Sequence, residues 1–190
     1  MDLGQGLHGT AVIFGENCVL ITGTSGAGKS ALALALIALA KATCRFGALV
    51  GDDRVWVRAA KGRIVASGAP HMAGLIERRA VGVQSTPSEP AAVISLVVAL
   101  SGRNHSWPRW PEEPDACVVE GMTLPRLALN SAVSALDCAI SVDERLALIS
   151  ARRAGRNGNS LEQCAAVHKN RLCRDFVDGF SDAKERGPDE

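Results

Sequence analysis

Apolar residues in this chain come in short runs, interrupted by Gly, Pro and charged clusters. Ala11-Val12-Ile13-Phe14 and Cys18-Val19-Leu20-Ile21 flank Gly15-Glu16-Asn17. Each run has strand length and the interruption is made of turn formers, so the stretch from Thr10 to Thr22 predicts a β-hairpin. Ala31 to Leu39 is rich in Ala and Leu and free of Gly and Pro, which predicts a buried helix ending before Cys44. Phe46 to Val50 predicts a strand that delivers Asp52 and Asp53 at its C-terminal end. Val55-Trp56-Val57 and Ile64-Val65-Ala66, on either side of Ala60-Lys61-Gly62, predict a second hairpin.

Further along, Val93 to Leu100 and Ala116 to Val119 are continuous apolar runs of strand length, and Leu124 to Leu129 predicts a last strand. Ser101 to Pro114, rich in Pro, Trp and Glu, is expected to be a loop. Val133, Leu136, Ile140, Leu146 and Ile149 recur at helical spacing, which predicts a closing helix over Ser131 to Ser150 with Asn130 or Ser131 as its cap. The composition changes after Ala151, at Arg152-Arg153-Ala154-Gly155-Arg156. Residues 1–150 are therefore expected to form one domain. Residues 151–190 are expected to be an extension, with a short helix from Leu161 to Phe176 and a charged end from Asp182 to Glu190, that docks on the core, contacts the partner or stays partly disordered.

A length of 190 residues with 47% hydrophobic and 22% charged residues suits one ordinary core. Lys and Arg number 21 against 20 Asp and Glu, a net charge of +1, so no broad field holds a polyanion and nucleic acid is not an expected partner. No apolar run approaches the roughly 18–20 residues of a membrane span, and Met1 to Gly6 lacks the basic and apolar regions of a signal peptide. A cytoplasmic protein is expected, with no membrane partner. The six cysteines, at 18, 44, 117, 138, 164 and 173, form no Cys-x-x-Cys pair, which favours reduced thiols. Cys164, His168 and Cys173 share one polar stretch, but two thiols and one imidazole leave a zinc site incomplete.

The chemistry enters at Gly23-Thr24-Ser25-Gly26-Ala27-Gly28-Lys29-Ser30, a complete Gly-x4-Gly-Lys-Ser phosphate loop. Glycines let backbone amides turn toward phosphate oxygens, Lys29 reaches the β- and γ-phosphates, and the Ser30 hydroxyl can ligate Mg²⁺. The expected strand before it and the expected helix beginning near Lys29 or Ser30 are the context this motif requires. Asp52 and Asp53, at the end of an apolar strand, are candidates for the metal and for the attacking hydroxyl. Adjacent acids on a strand alternate sides, so the two need not share a role. The Asn-Lys-x-Asp sequence that reads guanine is absent.

These residues form an ordered series that resembles the bacterial HPr kinase/phosphorylase family, in a short form lacking the N-terminal domain. His8-Gly9-Thr10 resembles the His-Gly that opens its catalytic domain, at the family's spacing to Lys29. Gly51-Asp52-Asp53-Arg54-Val55 resembles its Ala-Asp-Asp-Arg-Val. Gly68-Ala69-Pro70 and Gly74-Leu75-Ile76-Glu77-Arg78-Arg79 resemble its signature segment, and Leu124-Pro125-Arg126-Leu127-Ala128-Leu129 a late strand of the short members. The resemblance spans about residues 8–150. It implies an α/β fold in which a phosphate loop sits on a mixed β-sheet with hairpins and a C-terminal helix, of the phosphoenolpyruvate-carboxykinase-like kind.

The activity it implies is ATP- and Mg²⁺-dependent phosphorylation of a serine on HPr, the phosphocarrier protein of the sugar phosphotransferase system. The reverse reaction would use inorganic phosphate and release pyrophosphate. By the same resemblance Lys29 holds the transferred phosphate, Ser30 and Glu77 hold Mg²⁺ with Asp52 beside them, Asp53 is the base, and His8 lies by the phosphates. Arg109 falls near a family arginine that aids catalysis, with Arg103 as competitor. Arg126 corresponds to one linked to dephosphorylation, although the following Pro-Gly-Arg is absent, so the kinase direction follows more directly than the phosphorylase direction. The family also implies a homohexamer.

Three departures stand out. Ala80 replaces the usual Gly, Ala40 to Arg45 is an insertion after the phosphate-loop helix, and the residues from 151 onward have no recognised counterpart. The alternatives are a phosphate-loop kinase of a small metabolite, or a nucleotide-binding regulatory module in which Ala80 and the Arg109 region have abolished transfer. Motifs of a nucleic-acid motor are lacking.

Overall fold

A computed structural model of the chain describes residues 5–102 and 116–153. The first hairpin is present as β1 (Gln5–Phe14) and β2 (Asn17–Thr22), antiparallel in register from Phe14 opposite Asn17 to Gly9 opposite Thr22. β1 starts earlier than its apolar run because Gln5 to His8, though polar and Gly-containing, pair with β4 (Arg54–Ala60). The other half of β1 pairs with β3 (Gly47–Gly51) as well as with β2. β4 and β5 (Arg63–Ser67) form the second predicted hairpin.

β8 (Ala91–Ser101) organises the sheet. Its first residues run antiparallel to β5, and its middle runs parallel to β2 from Cys18 and Ile94 to Thr22 and Ala99. Its end runs parallel to β10 (Met122–Asn130). The pairings β2–β1–β4–β5–β8–β2 thus close a ring, filled by Ala11, Leu20, Val55, Val57, Ile64 and Ile94, all buried. Continuous apolar runs in β2 and β8 fit parallel strands buried on both faces.

Two further hairpins are present; the sequence predicts both strands of the first, though not their pairing, and neither strand of the second. β9 (Ala116–Val119) pairs with β10 through Glu120-Gly121, both at positive φ (47° and 73°), the geometry of a primed two-residue turn. After a 3₁₀ turn at Pro70–Met72, β6 (Leu75–Arg78) and β7 (Gly82–Ser85) form a small separate sheet. Its strands are four residues each and its Val83 is 62% exposed, so no alternation marks them.

Helix α1 (Lys29–Ala42) buries Leu32, Ala33, Leu36 and Ala40 and packs on β1 and β3. Ala40 to Arg45 forms its last turn and exit. Arg45 there makes a bidentate ion pair with Asp143, both bonds at 2.7 Å, and lies 4.1 Å over the Phe14 ring. Helix α2 (Ala135–Arg153) begins later than expected. Ser134, rather than Asn130 or Ser131, caps it, its hydroxyl accepting from the Asp137 amide at 3.1 Å and donating to the Asp137 carboxylate at 2.6 Å. Asn130 instead accepts from the Ala132 amide at 2.8 Å, making the turn that precedes the helix.

The buried stripe of α2 keeps Leu146 and Ile149 of the expected one and differs in its first turns. Cys138, Ala139, Val142 and Leu146 face inward, while Val133, Leu136 and Ile140 are 50, 54 and 41% exposed. Small side chains at 138 and 139 allow close approach, and that outweighs the pull of the larger residues. These elements lie in the compact unit Met1–Leu146; the unit that follows begins within α2, at Ala147. Among the described residues no helix is long and apolar enough to cross a membrane. Cys18, Cys44, Cys117 and Cys138 are free thiols, as expected, and burial pushes the Cys18 thiol up to about 12. Cys164, His168, Cys173, the expected 161–176 helix and most of the expected 101–114 loop lie outside the described residues.

Candidate active site

The phosphate loop connects β2 to α1, as its motif requires. Gly23, Gly26 and Gly28 take φ values of 149°, 78° and 94°, a backbone path open to glycine. A Cβ at Gly23 would stand 2.2 Å from the Leu100 carbonyl oxygen, so β8 holds this corner of the loop against β2. Thr24 accepts from the Ala27 amide at 3.1 Å, while Ser25 lies exposed at the tip. Helix α1 starts with no side-chain cap and no acid in its first turn, so its N-terminal amides and dipole favour an anion.

Lys29 is 7% exposed. Its Nζ lies 3.1 Å from the carbonyl oxygens of Gly23 and Thr24 and 3.0 Å from His8 Nε2. An ammonium can only donate, so Nε2 of His8 is the acceptor and the proton of the neutral ring sits on Nδ1. That nitrogen lies 3.1 Å from both the backbone oxygen and the carboxylate of Asp53, two acceptors, which agrees with the assignment. Burial pulls the Lys29 ammonium below the ordinary lysine range, opposed by the charges of Asp53 and Asp52.

The paired acids part company, though not by strand alternation. β3 ends at Gly51, and the bend that follows puts Asp53 at φ 62°, a left-handed conformation that Asp tolerates better than most residues. The Asp53 side chain is 83% exposed and tethered only at His8. Asp52 turns inward, accepting from Thr10 Oγ1 at 2.6 Å, from Ser30 Oγ at 3.1 Å to both oxygens, and from the Glu77 amide at 3.2 Å. The bend is possible because Gly51 lies against Gly68; a Cβ at Gly68 would stand 2.1 Å from the Val50 carbonyl oxygen.

The structure therefore brings His8, Lys29, Ser30, Asp52 and Asp53 together, with the backbone of Glu77 joining at Asp52. Glu77 is exposed on β6. Arg126 lies on β10 opposite Val97, its charge beside the Cys117 thiol of β9; it is not among the residues gathered at Lys29. Arg109 and Arg103 lie outside the described residues.

Two residues carry more than the sequence suggested. Thr10 is fully buried and its hydroxyl holds Asp52; its signal was a polar residue two positions from His8 on the same strand face. Arg79 lies over the phosphate loop, its Nη2 3.3 Å from where a Cβ of Gly26 would stand. Its signal was the cation closing the Gly74 to Arg79 segment.

No group of three or more His, Cys, Asp or Glu side chains suited to a metal occurs among the described residues. What is present, one inward carboxylate and one hydroxyl beside a phosphate cradle, fits Mg²⁺, which takes one or two carboxylates and fills its shell with phosphate oxygens and water. A larger depression of about 530 Å³, bordered by Arg58, Lys61 and Arg63, lies at the turn end of β4 and β5, the opposite end of β4 from Asp53.

A phosphate loop on a mixed sheet, a lysine and histidine in contact, and one carboxylate directed to each side define a phosphate-loop domain built to hold a polyphosphate. The comparisons give the family. The model of the HPr Serine kinase C-terminal domain matches residues 3–112, and the chain belongs to that family. It is 39% identical over 83 residues to the HPr kinase/phosphorylase of Clostridium tetani, covering 43% of this chain and 25% of that protein. It is 30% identical over 135 residues to that of Limosilactobacillus reuteri, covering 66% of this chain and 40% of that protein. The chain thus spans 25% to 40% of the length of these relatives. The fold is that of the Hpr(Ser) kinase/phosphatase structure from Coxiella burnetii, with a TM-score of 0.61 at 22% identity, over 81% of this chain and 99% of that one. The α/β fold expected from the sequence is thereby borne out.

Proposed function

We propose that this chain is an ATP-dependent serine kinase acting on the phosphocarrier protein HPr, and that it also phosphorolyses phosphoserine-HPr with inorganic phosphate. The observation that carries this reading is the exposed Asp53 carboxylate, linked through His8 to the buried Lys29 of the phosphate loop. A base for a free metabolite is usually enclosed; one that is 83% exposed suits an acceptor hydroxyl presented on the surface of another protein.

In the forward direction Asp53 takes the proton of the substrate serine as its oxygen bonds to the γ-phosphorus of ATP, and the bond from that phosphorus to the β-γ bridging oxygen breaks, leaving ADP. Lys29 and the loop amides of Gly23 to Ser30 hold the phosphates, and His8 keeps Lys29 and Asp53 in register. Ser30 and Asp52, with Glu77 nearby, would hold Mg²⁺, which when bound would neutralise charge on the phosphoryl oxygens. In the phosphorolysis, an oxygen of inorganic phosphate bonds to the phosphorus of phosphoserine as its bond to the serine oxygen breaks, Asp53 gives its proton to that oxygen, and pyrophosphate leaves. Arg109 and Arg126 belong to this proposal as further cationic contributors, as do a cytoplasmic location and a homohexameric assembly.

The test is incubation of the purified protein with radiolabelled ATP, Mg²⁺ and HPr, beside an HPr variant whose acceptor serine is replaced by alanine. Label on the serine-bearing protein alone is the expected result. ATP binding without label would overturn it in favour of a regulatory binding module, and label on a metabolite with HPr untouched in favour of a small-molecule kinase.

A further inference from the structure

A cleft of about 310 Å³ opens beside the phosphate loop, between the start of α1 and the turn leading into α2. Its walls include Ala31, Leu32, Leu100, Ala132, Val133 and Cys138. Leu32, Leu100 and Cys138 are almost fully buried and form its floor, whereas Val133 is 50% exposed and forms its rim. The volume is at the lower end of the about 300–1,000 Å³ common for small-molecule sites, which suits a base and sugar rather than a larger ligand.

The cleft has a fixed relation to the chemistry. Lys29 and Ser30 direct their side chains to His8 and Asp52, while Gly28 and Ala31, on either side of them in sequence, border the cleft. A polyphosphate lying along the loop with its terminal phosphoryl group at Lys29 and Asp53 therefore carries its other end to this apolar space. We infer that the cleft takes the nucleoside of the phosphoryl donor and does so with little regard to which purine it is. This inference rests on the phosphate-donor reading above and specifies the donor class.

The indifference follows from the lining. Base edges are told apart by side chains that present a donor beside an acceptor, and discrimination is strong only where a mismatch would strand such a group. The described wall offers no Asn, Gln, Asp, Glu or Arg. Its side-chain hydroxyls are Ser131 and Ser134, and that of Ser134 is already engaged with Asp137 as the cap of α2. An apolar slot of this kind rewards the presence of a flat ring and reads little of its edge.

The experiment is competition binding with Mg²⁺, using ATP, GTP and inorganic tripolyphosphate on the full chain, on Ala132→Trp and on Val133→Asp. Both positions are exposed, so neither change disturbs the core. For the unaltered chain, ATP and GTP should bind within about threefold of each other, and each at least about tenfold more tightly than tripolyphosphate. Both variants should lose that nucleoside advantage while holding tripolyphosphate as before, which also shows that they are folded. Nucleotides no tighter than tripolyphosphate, or variants that keep the advantage, would overturn the assignment of the cleft, and a tenfold preference for one purine would overturn the indifference. Failure of tripolyphosphate itself to bind would sink the phosphate-loop reading, and the cleft with it.

Discussion

Lys29 Nζ stands 3.0 Å from His8 Nε2, joining the phosphate loop to a strand 21 residues earlier. Through the other ring nitrogen the contact continues to Asp53, so a buried cation and an exposed carboxylate are held at opposite edges of one imidazole. In the proposed reaction, binding falls to Lys29 and proton transfer to Asp53, and substitution can separate the two.

Asp53→Asn keeps the size of the side chain and removes its basicity. Serine phosphorylation should fall by about 10²–10⁴-fold in single turnover, with nucleotide affinity within a few-fold of the original. Near-normal transfer by this variant would remove Asp53 from the role of base.

Lys29→Met should abolish tight nucleotide and tripolyphosphate binding and, at neutral pH, raise the thermal stability of the unliganded protein. Burial lowers the folded pKa of Lys29 below its ordinary 10.5. Below the folded value both states hold the proton and the burial penalty is felt in full. Between the folded value and 10.5 the unfolded chain binds more protons, so the original protein gains stability as pH rises and the advantage of the Met variant shrinks. Melting curves across that range check the sign; a Met variant less stable at pH 7 would show that the bonds to Gly23, Thr24 and His8 outweigh burial.

Thr10→Val is nearly isosteric but leaves Asp52 without its shortest hydrogen bond, 2.6 Å from a fully buried hydroxyl. A loss of about 2 kcal/mol is expected, as for other hydrogen bonds to charged groups, together with a higher Mg²⁺ concentration for half-maximal activity. Denaturant melts and a Mg²⁺ titration measure the two effects. Unchanged Mg²⁺ dependence would leave Thr10 with a purely structural role.

Arg79→Gln should weaken tripolyphosphate binding about tenfold and flatten its dependence on salt, because the guanidinium lies over the loop at Gly26. Equal affinity and equal salt dependence would place the phosphates out of its reach.

Ala80 has φ 64° in the turn between β6 and β7, where a methyl group is strained. Ala80→Gly should stabilise the protein by about 1 kcal/mol and raise its melting temperature by about 2–4 °C. A fall in melting temperature would mean that the added freedom of glycine in the unfolded chain outweighs the relieved strain.

Local chemistry made much of this legible in advance. The first two hairpins, α1 and β8 follow from apolar runs bounded by turn formers, because a strand or helix buried on one or both faces must show that pattern. The phosphate loop was equally plain, since only glycines tolerate its φ values. The β6–β7 hairpin was not, because it buries little beyond Ile76 and has no face to mark. The expected stripe of α2 holds at Leu146 and Ile149, both buried, and fails in the first turns, where Cys138, Ala139 and Val142 face inward in place of Leu136 and Ile140, because residue size alone does not say what the helix packs against. Its capping residue was missed because Asn130 and Ser134 are both good caps, and the start of the helix decides between them.

The sequence by itself determined which groups are available: a phosphate cradle, a lysine, two adjacent acids and a histidine at a set distance along the chain. Only the tertiary structure decided how they divide the work. Asp52 faces Ser30 and Thr10, and Asp53 faces His8 and solvent, because a bend after β3, packed glycine against glycine at Gly51 and Gly68, rotates one acid away from the other. That rotation depends on where β5 crosses the end of β3, a contact between segments far apart in the chain. Patterns of neighbouring residues do not encode such a contact, and ring closure through β8 fixes it.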